Sequence, residues 1–174
     1  MQRPDAIKIV FKIMKNKQNT YKTFGKGRSL RLKLFNYSEP YRAYFLTLCA
    51  SNKEKYFSND RVCSKILASL KSACKQGQYH LLAYCIMPDH LHVLVHGGEK
   101  PKDLRTWVRD FKKYTTYMCR DEIEVNKLWQ RDYYEHIVRK DEDILKKAEY
   151  IVNNPLRKGI VCRREDYKWQ GLFT

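Results

Sequence analysis

The sequence predicts an α+β fold built on an antiparallel sheet, and three observations support this prediction. Segments with strand-like and helix-like periodicity follow one another in the order β-α-β-β-α-β-α. The second and third strand-like segments are joined only by a short Pro-Asp turn, which makes them a hairpin. Two helix-like segments carry their apolar residues on one face. This order fits a ferredoxin-like sheet with helices on one face, followed by one extra C-terminal helix.

The first strand and the first helix are predicted from residue types and helix-ending signals. Residues 41–50 (YRAYFLTLCA) are rich in aromatic and β-branched residues, which is typical of a strand. Asp60 can cap a helix that runs to about Gln76, and Gly77 follows as its C-terminal signal. The apolar face of this helix is formed by Val62, Ile66, Leu67 and Leu70.

The second and third strands form the predicted hairpin. Residues 79–86 (YHLLAYCI) make the second strand, and Pro88 and Asp89 make the turn. The third strand runs from His90 to His96, alternating polar and apolar residues before it becomes wholly apolar. It is therefore expected to enter the core.

A second helix is predicted from Lys102 to Cys119. Its expected core residues, at helical spacing, are Leu104, Val108, Phe111, Thr115 and Met118. Basic residues lie largely away from that line, which suits a nucleic-acid surface, although a merely solvated basic face is the alternative. The candidate DNA contacts are Arg105, Arg109, Lys112 and Lys113, with Trp107, Tyr114 and Tyr117 nearby, and Arg131 beyond the helix.

The fourth strand and the last helix complete the predicted domain. The strand covers roughly Tyr133 to Arg139. The helix begins after Asp141 and stops at Asn154, because Pro155 disfavours helical geometry in the residue before it. On a helical wheel its buried face is formed by Ile144, Leu145, Ala148, Ile151 and Val152.

Tyr150 and Asn154 fall on the opposite side of that wheel, four residues apart and on one face. A tyrosine can act as a covalent nucleophile, and an Asn side-chain oxygen can bind a hard metal ion. An exposed tyrosine followed by a capping asparagine is the alternative interpretation.

His90 and His92 point to the same face of the third strand, because side chains two residues apart on a strand leave by one face. Two imidazoles at this spacing make half of a metal site. Two hydrogen-bonded or exposed histidines without a metal are the alternative.

The excess of basic residues indicates a polyanionic partner. The 174 residues include 35 Lys and Arg against 19 Asp and Glu, a net charge of +16. The chain also holds 13 Tyr, 7 Phe and 3 Trp, and aromatic rings among basic residues suit unstacked nucleic acid. A ribosome-associated protein and a protein on an acidic membrane surface are the alternatives.

The charge is concentrated at the N-terminus. Residues 1–42 hold eleven Lys and Arg against two acidic residues. We predict a basic arm over residues 1–40, which lies on the domain or becomes ordered on nucleic acid, and one domain over residues 41–174. A dispensable solvated tail is the alternative to a functional arm.

Cysteine spacing and hydropathy exclude several classes of protein. The six cysteines never occur as Cys-x-x-Cys, which argues against a zinc knuckle or a disulfide framework and for reduced thiols. No apolar run approaches membrane-spanning length, and the N-terminus lacks a signal-peptide pattern. We expect a soluble cytoplasmic protein.

Three segments resemble the single-tyrosine HUH transposases, which include small insertion-sequence transposases and the REP-associated tyrosine transposases. They are PDHLHVLV, WQRDYYEHIVRKDED and AEYIVNNPLRKGIV, and the resemblance covers roughly residues 41–173. The EHIVR and NNPLRKG parts favour the REP-associated branch. The resemblance implies that His90, His92 and Asn154 bind a divalent metal and that Tyr150 is the nucleophile. It also implies the same ferredoxin-like fold.

The activity implied by the resemblance is cleavage and rejoining of single-stranded or hairpin DNA through a 5′-phosphotyrosine, with Mg²⁺ or Mn²⁺ as cofactor. No Walker-type Gly-rich loop is present, which suits a reaction without a nucleotide cofactor. His136 is a candidate for supporting the site or contacting DNA, with a structural role as the alternative. A homodimer is possible, in which Tyr150 serves its own histidines or those of a second copy.

Two other functions stay open at this point. A domesticated relative of the same fold could bind hairpin nucleic acid without cutting it. A different metallohydrolase could use His90 and His92 with an acidic ligand such as Asp89, and it would form no covalent intermediate.

Overall fold

The computed structural model describes residues 35–124, 126–138 and 144–172. All of the elements below belong to one compact unit that begins at Asn36. The predicted basic arm over residues 1–40 falls mainly outside the described residues and stays a prediction. Tyr37, near the end of that predicted arm, is packed in the folded unit with 1% of its surface exposed.

The described residues contain a five-stranded antiparallel sheet in the order β4-β1-β3-β2-β5, which confirms the ferredoxin-like prediction. The predicted hairpin joins the second and third strands. A fifth strand was not predicted, because its three residues are too few to show a period and it forms only by pairing with the β2 edge. The strands are β1 Ala43–Cys49, β2 Tyr79–Met87, β3 His90–Gly97, β4 Tyr134–Val138 and β5 Gln170–Leu172.

Four α-helices accompany the sheet in the described part of the chain. They are α1 Asp60–Gln76, α2 Leu104–Cys119, α3 Ile144–Val152 and α4 Asn154–Arg157. Short 3₁₀ turns cover Ser51–Lys53, Tyr56–Ser58 and Arg164–Asp166. The predicted cap of α1 was wrong by one residue, since the Asn59 side chain accepts hydrogen bonds from the backbone of Arg61 and Val62. No helix in the described residues has the length and apolar character needed to cross a membrane.

One face of the sheet forms the main core with α1 and α2. Tyr44, Leu46 and Leu48 point to this face and are fully buried. Tyr79 lies on the same face and packs against Trp107 of α2, with ring centroids 5.2 Å apart. Trp107 is therefore a core residue, although the sequence placed it beside the basic surface.

The opposite face of the sheet carries the candidate site, and we call it the histidine face. Phe45 and Thr47 of β1 point to it together with His92 of β3, as their register shows. The extra helix α3 packs mainly on β2, with further contacts to β3 and β5. It lies on the histidine face, because Tyr150 of α3 contacts Phe45.

The last helix differs from its prediction at its C-terminal end. Residues 139–143, where it was expected to begin, lie outside the described residues, as does Arg139 of the predicted fourth strand. It ends at Val152, and after a turn at Asn153 the four-residue α4 begins at Asn154. Ala148, Ile151 and Val152 are buried as predicted, but Leu145 is 44% exposed, so its assignment to the core was wrong.

Candidate active site

His90 and His92 stand side by side at the start of β3, immediately after the hairpin turn. Their Nε2 atoms are 3.1 Å apart, and their rings meet edge to face with centroids 4.6 Å apart. His92 is 8% exposed, while His90 is half-buried. The pair therefore presents two nitrogen atoms to one point at the edge of solvent.

The other ring nitrogens are held by neighbouring side chains. His90 Nδ1 lies 2.5 Å from Asp89 Oδ1, and a carboxylate at that position accepts a hydrogen bond from Nδ1–H. His92 Nδ1 lies 2.9 Å from Thr47 Oγ1, and a hydroxyl can donate or accept, so Thr47 serves either tautomer of His92. When Thr47 accepts, both Nε2 atoms carry a lone pair directed at the space between them.

Burial keeps His92 uncharged near neutral pH. Burial, and then the nearby His90, lower the pKa of His92 to about 3, while Asp89 acts in the opposite direction. An uncharged imidazole is the form that binds a metal ion. His92 is therefore ready to act as a ligand across the physiological pH range.

The geometry of the pair fits a bound metal ion. With both Nε2 atoms unprotonated, their lone pairs 3.1 Å apart would repel each other, and a shared cation with metal–nitrogen bonds of about 2.1 Å would relieve this. Carboxylate and hydroxyl partners on the far nitrogens are the usual outer support of metal-binding histidines. Within the described ranges, no three His, Cys, Asp or Glu side chains form a metal-binding group.

Asp89 is placed to orient His90 rather than to bind the ion itself. Its Oδ1 contacts Nδ1, on the side of the ring away from the Nε2 atom that faces His92. The metallohydrolase with Asp89 as a ligand is therefore not favoured by this arrangement.

Phe45 brings Tyr150 into one cluster with the histidines. The Phe45 ring stacks on His92 with centroids 5.6 Å apart, and it meets the Tyr150 ring edge to face at 6.4 Å. Tyr150 is 43% exposed, off the buried face of α3 as the helical wheel predicted. Its phenol is therefore held by the packed edge of the site and is open to a substrate.

Arg157 covers the other accessible part of the tyrosine ring. Its guanidinium carbon lies 4.9 Å from the centroid of the Tyr150 ring, a cation–π contact. Arg157 reaches back because α3 breaks at Asn153 and the chain re-enters helix at Asn154, with Pro155 in the first turn. Gly159, with φ of +67°, ends this short helix.

Asn154 stabilises the junction between α3 and α4 through side-chain hydrogen bonds. It is 4% exposed, and its Nδ2 donates to the carbonyl oxygens of Tyr150 at 2.8 Å and Ile151 at 3.3 Å. The wheel had placed it on the exposed side, which fails because α3 ends before residue 154. With the amide nitrogen turned to the helix, Oδ1 is the atom left to bind a ligand.

His136 lies on the histidine face as well. It pairs in register with Phe45, so both side chains leave the sheet on one side. The neighbouring Tyr134 contacts Phe45, with ring centroids 6.1 Å apart. His136 is thus near the cluster, and its role as DNA contact or support stays a prediction.

The five predicted DNA contacts have unequal surroundings and are not brought to the histidine face by α2. Arg105 pairs with Asp103 and lies over the Tyr37 ring, and Arg109 pairs with Asp110. Lys112 donates to the backbone carbonyls of residues 130, 131 and 132, so its ammonium group ties α2 to the chain before β4. Lys113 and Arg131 are exposed.

Four residues of the site were not identified from the sequence: Phe45, Thr47, Asp89 as a support, and Arg157. Alternation along β1 would have placed Phe45 and Thr47 on one face. The sequence does not reveal that this face is the histidine face; the pairing of Thr47 with His92 in the structure shows it. For Arg157, the NNPLRKG segment signalled a helix break but not its direction.

The family match and the names of relatives define the class as tyrosine transposases, which are enzymes that act on DNA. A sequence model of the family described as "Transposase IS200 like" matches residues 41–154. The chain belongs to this family. Transposases of this type are generally metal-dependent.

Two relatives and one solved structure are similar to this chain. An uncharacterized protein of Haemophilus influenzae is 34% identical, over 74% of this chain and 88% of its own length. A REP-associated tyrosine transposase of Escherichia coli is 27% identical over 51% of this chain and 52% of its own. The solved structure of a REP-associated tyrosine transposase bound to a REP hairpin shares the fold, with a TM-score of 0.66 and 18% identity. That match covers 88% of this chain and 82% of the other.

Proposed function

We propose that this protein is a metal-dependent endonuclease and strand transferase that cleaves single-stranded DNA near a hairpin, with Tyr150 as the nucleophile. The observation that carries the proposal is the cluster in which one ring, Phe45, contacts both His92 and Tyr150. A phosphate held at the histidine pair would lie beside the phenol. The resemblance of the chain to REP-associated transposases supports the choice of substrate.

The proposed reaction conserves the energy of the broken bond. The Tyr150 Oη attacks phosphorus and loses its proton, the bond from phosphorus to the 3′ oxygen breaks, and the 3′-hydroxyl leaves with a proton. The DNA 5′ end is then held as a phosphotyrosine ester. A second 3′-hydroxyl can attack the same phosphorus and release Tyr150, which joins two strands without a nucleotide cofactor.

His90 Nε2, His92 Nε2 and Asn154 Oδ1 are the atoms proposed to hold Mg²⁺ or Mn²⁺. The ion would act as a Lewis acid on the scissile phosphate and help to orient it. Asp89 and Thr47 fix the two rings so that their Nε2 atoms face one point. Two imidazoles and an amide are softer than the oxygen ligands Mg²⁺ prefers, so Mn²⁺ should serve at least as well.

Arg157 is proposed to assist Tyr150. A guanidinium group over the ring favours the negative charge that develops on the phenol oxygen during attack. The same group is exposed, so it can also meet the phosphate of a bound strand.

Hairpin DNA is the proposed partner, and a homodimer stays a proposal in which Tyr150 serves its own or a second copy's histidines. The net charge of +16 supports strong, salt-dependent binding to phosphates. Arg105, Arg109, Lys113 and Arg131 remain candidate contacts outside the histidine face. The proposed place of action is the bacterial cytoplasm, at the nucleoid.

The decisive experiment looks for the covalent intermediate. Labelled single-stranded hairpin DNA is mixed with the protein and Mn²⁺, and the products are separated under denaturing conditions. We expect a protein–DNA adduct that is lost in Tyr150→Phe and kept in the matched control Tyr117→Phe, an exposed tyrosine of α2. An adduct that persists in Tyr150→Phe would overturn the assignment. DNA binding without any adduct would favour the binding-protein alternative.

A further inference from the structure

One half of the histidine face is open, among the described residues. Strands β2 and β3 are buried on both faces over most of their length, because α3 packs there. On β1 and β4, the side chains of Phe45, Thr47 and His136 are only half-buried, and Tyr134 is 53% exposed. Tyr150 of α3 lies at the boundary between the half of this face that α3 covers and the open half.

Aromatic rings cross this open half from the nucleophile to the edge of the sheet. The Tyr150 ring meets Phe45 at 6.4 Å, and Phe45 meets Tyr134 at 6.1 Å with the planes at 68°. Phe45 thus holds one edge of the Tyr134 ring while much of its surface stays exposed. A large aromatic ring exposed beside a catalytic group is suited to stack on a flat ligand.

We propose that Tyr134, supported by Phe45, is a stacking site for an unpaired nucleotide base next to the cleaved phosphate. The inference rests on the proposed function for the position of that phosphate, and it adds a requirement for an unpaired base at one side of it. Stacking between bases and aromatic side chains is tolerant of sequence, because every base has a flat π-face. A base inside a duplex cannot offer its face to Tyr134, so the site selects single-stranded DNA.

Charge and size favour a base over other occupants. The chain is strongly basic, which suits the phosphates on either side of a stacked base. Tyr134 is the most exposed ring of the open half, at 53%, and a single ring is the size of a base and smaller than a protein-binding patch. The open half lies directly beside Tyr150, where the scissile strand must pass.

The test separates base stacking from phosphate binding. Binding of an oligo(dT) strand is compared with binding of an abasic strand of the same length, which has the same phosphates and no bases. All proteins carry Tyr150→Phe, so no cleavage interferes. We expect Tyr134→Ala to weaken oligo(dT) binding about 5- to 100-fold, to leave abasic binding unchanged and to keep the salt slope.

Three variants make the result unambiguous. Tyr134→Phe should bind oligo(dT) like the parent, because it keeps the ring. Tyr134→Thr, which favours a strand but has no ring, should reproduce the loss even if Tyr134→Ala disturbs β4. Ile160→Ala removes an apolar side chain that is 43% exposed and is not among the candidate DNA contacts, and it should have no effect. Equal weakening of oligo(dT) and abasic binding, or no weakening at all, would overturn the inference.

The failure of this inference can be distinguished from failure of the proposed function. The adduct experiment depends on Tyr150 and does not require Tyr134. The oligo(dT) comparison measures binding alone and needs no nucleophile. An adduct without a Tyr134 effect would leave the proposed function standing and remove only the stacking site.

Discussion

At the scale of single residues, the site depends on how each histidine is turned. Asp89 and Thr47 hold the nitrogens that face away from each other, which leaves the Nε2 atoms 3.1 Å apart. Loss of such a support typically weakens metal binding by 10- to 100-fold. We therefore count the Thr47 hydroxyl as part of the proposed metal site, together with the His92 imidazole that it contacts.

Thr47→Val should lower Mn²⁺ affinity by about 10-fold or more, because His92 loses the acceptor for its Nδ1 proton. Calorimetric titration with Mn²⁺ measures this without any DNA. Thr47→Ser keeps the hydroxyl and should bind Mn²⁺ nearly as well as the natural protein. Equal affinity of the valine and serine variants would show that Thr47 does not support a metal-binding His92.

Arg157→Ala should slow formation of the covalent adduct about 2- to 30-fold while DNA affinity changes less. The expected range corresponds to the usual strength of a cation–π contact, which increases when the phenol oxygen becomes negatively charged. Single-turnover cleavage measures this rate. Arg163→Ala is the matched control, since Arg163 is exposed and pairs with Asp166. Equal rates for the two variants would argue that Arg157 plays no part in the reaction.

At the scale of elements, the α3–α4 junction positions both Tyr150 and Arg157. Asn154 binds the last carbonyls of α3, and Gly159 closes α4 four residues after Pro155. If α3 continued past Val152, residue 157 would lie further along the same helix axis. The break instead lets the Arg157 side chain lie over the Tyr150 ring.

Gly159→Ala should destabilise the protein by about 1 kcal/mol, because its φ of +67° suits glycine and strains a residue with a Cβ atom. No atom lies within 4 Å of the added methyl group, so the effect is one of backbone strain alone. Urea unfolding measures the change, and Lys158→Ala is the neighbouring control. An unchanged unfolding midpoint in Gly159→Ala would mean that the junction relaxes without strain.

At the scale of the whole molecule, the two faces of the sheet have different roles, one in stability and the other in the proposed chemistry. One face packs against α1 and α2 and holds fully buried apolar side chains such as Leu46. The other face carries all five histidines of the chain, as the strand register shows. His80 and His96 form a second pair there, with ring centroids 6.2 Å apart.

His96 should make the stability of the whole protein depend on pH. It is 3% exposed, and neither ring nitrogen makes a hydrogen bond of ordinary geometry within the described residues. Burial, and then the nearby His80, lower the pKa of His96 to about 4, while the Tyr41 backbone acts in the opposite direction. In the unfolded chain the pKa of a histidine is about 6.5.

The sign of the effect follows from these two values. Above about pH 6.5, His96 does not reduce the free energy of unfolding. Below that pH the free energy of unfolding falls as the pH drops toward 4, because the unfolded chain binds a proton at a higher pH than the folded protein does. The loss should approach about 3 kcal/mol by pH 4, and about 2 kcal/mol of it should appear between pH 7 and pH 5. Urea midpoints at pH 7 and pH 5 measure it, and His96→Asn should reduce the difference, whereas His80→Gln should keep most of it. The same pH dependence in wild type and His96→Asn would contradict the prediction.

The sequence by itself determined the order of the elements, the strand that carries His90 and His92, and the helix that carries Tyr150. These features depend on local periodicity, on helix caps and on Pro155, all of which act within a few residues. The pairing of β1 with β3 joins residues some forty-five positions apart, so no local pattern reveals it. The position of Phe45 between His92 and Tyr150 depends on that pairing.

Only the tertiary structure decided which groups meet. It placed α3 on the face opposite α1 and α2, buried Asn154 at a helix break, and added β5 to the edge of β2. It also moved Trp107 into the core and gave Lys112 a structural contact. The physical reason is the same in each case: these outcomes depend on packing between distant segments, whereas periodicity and capping report only how each segment folds by itself.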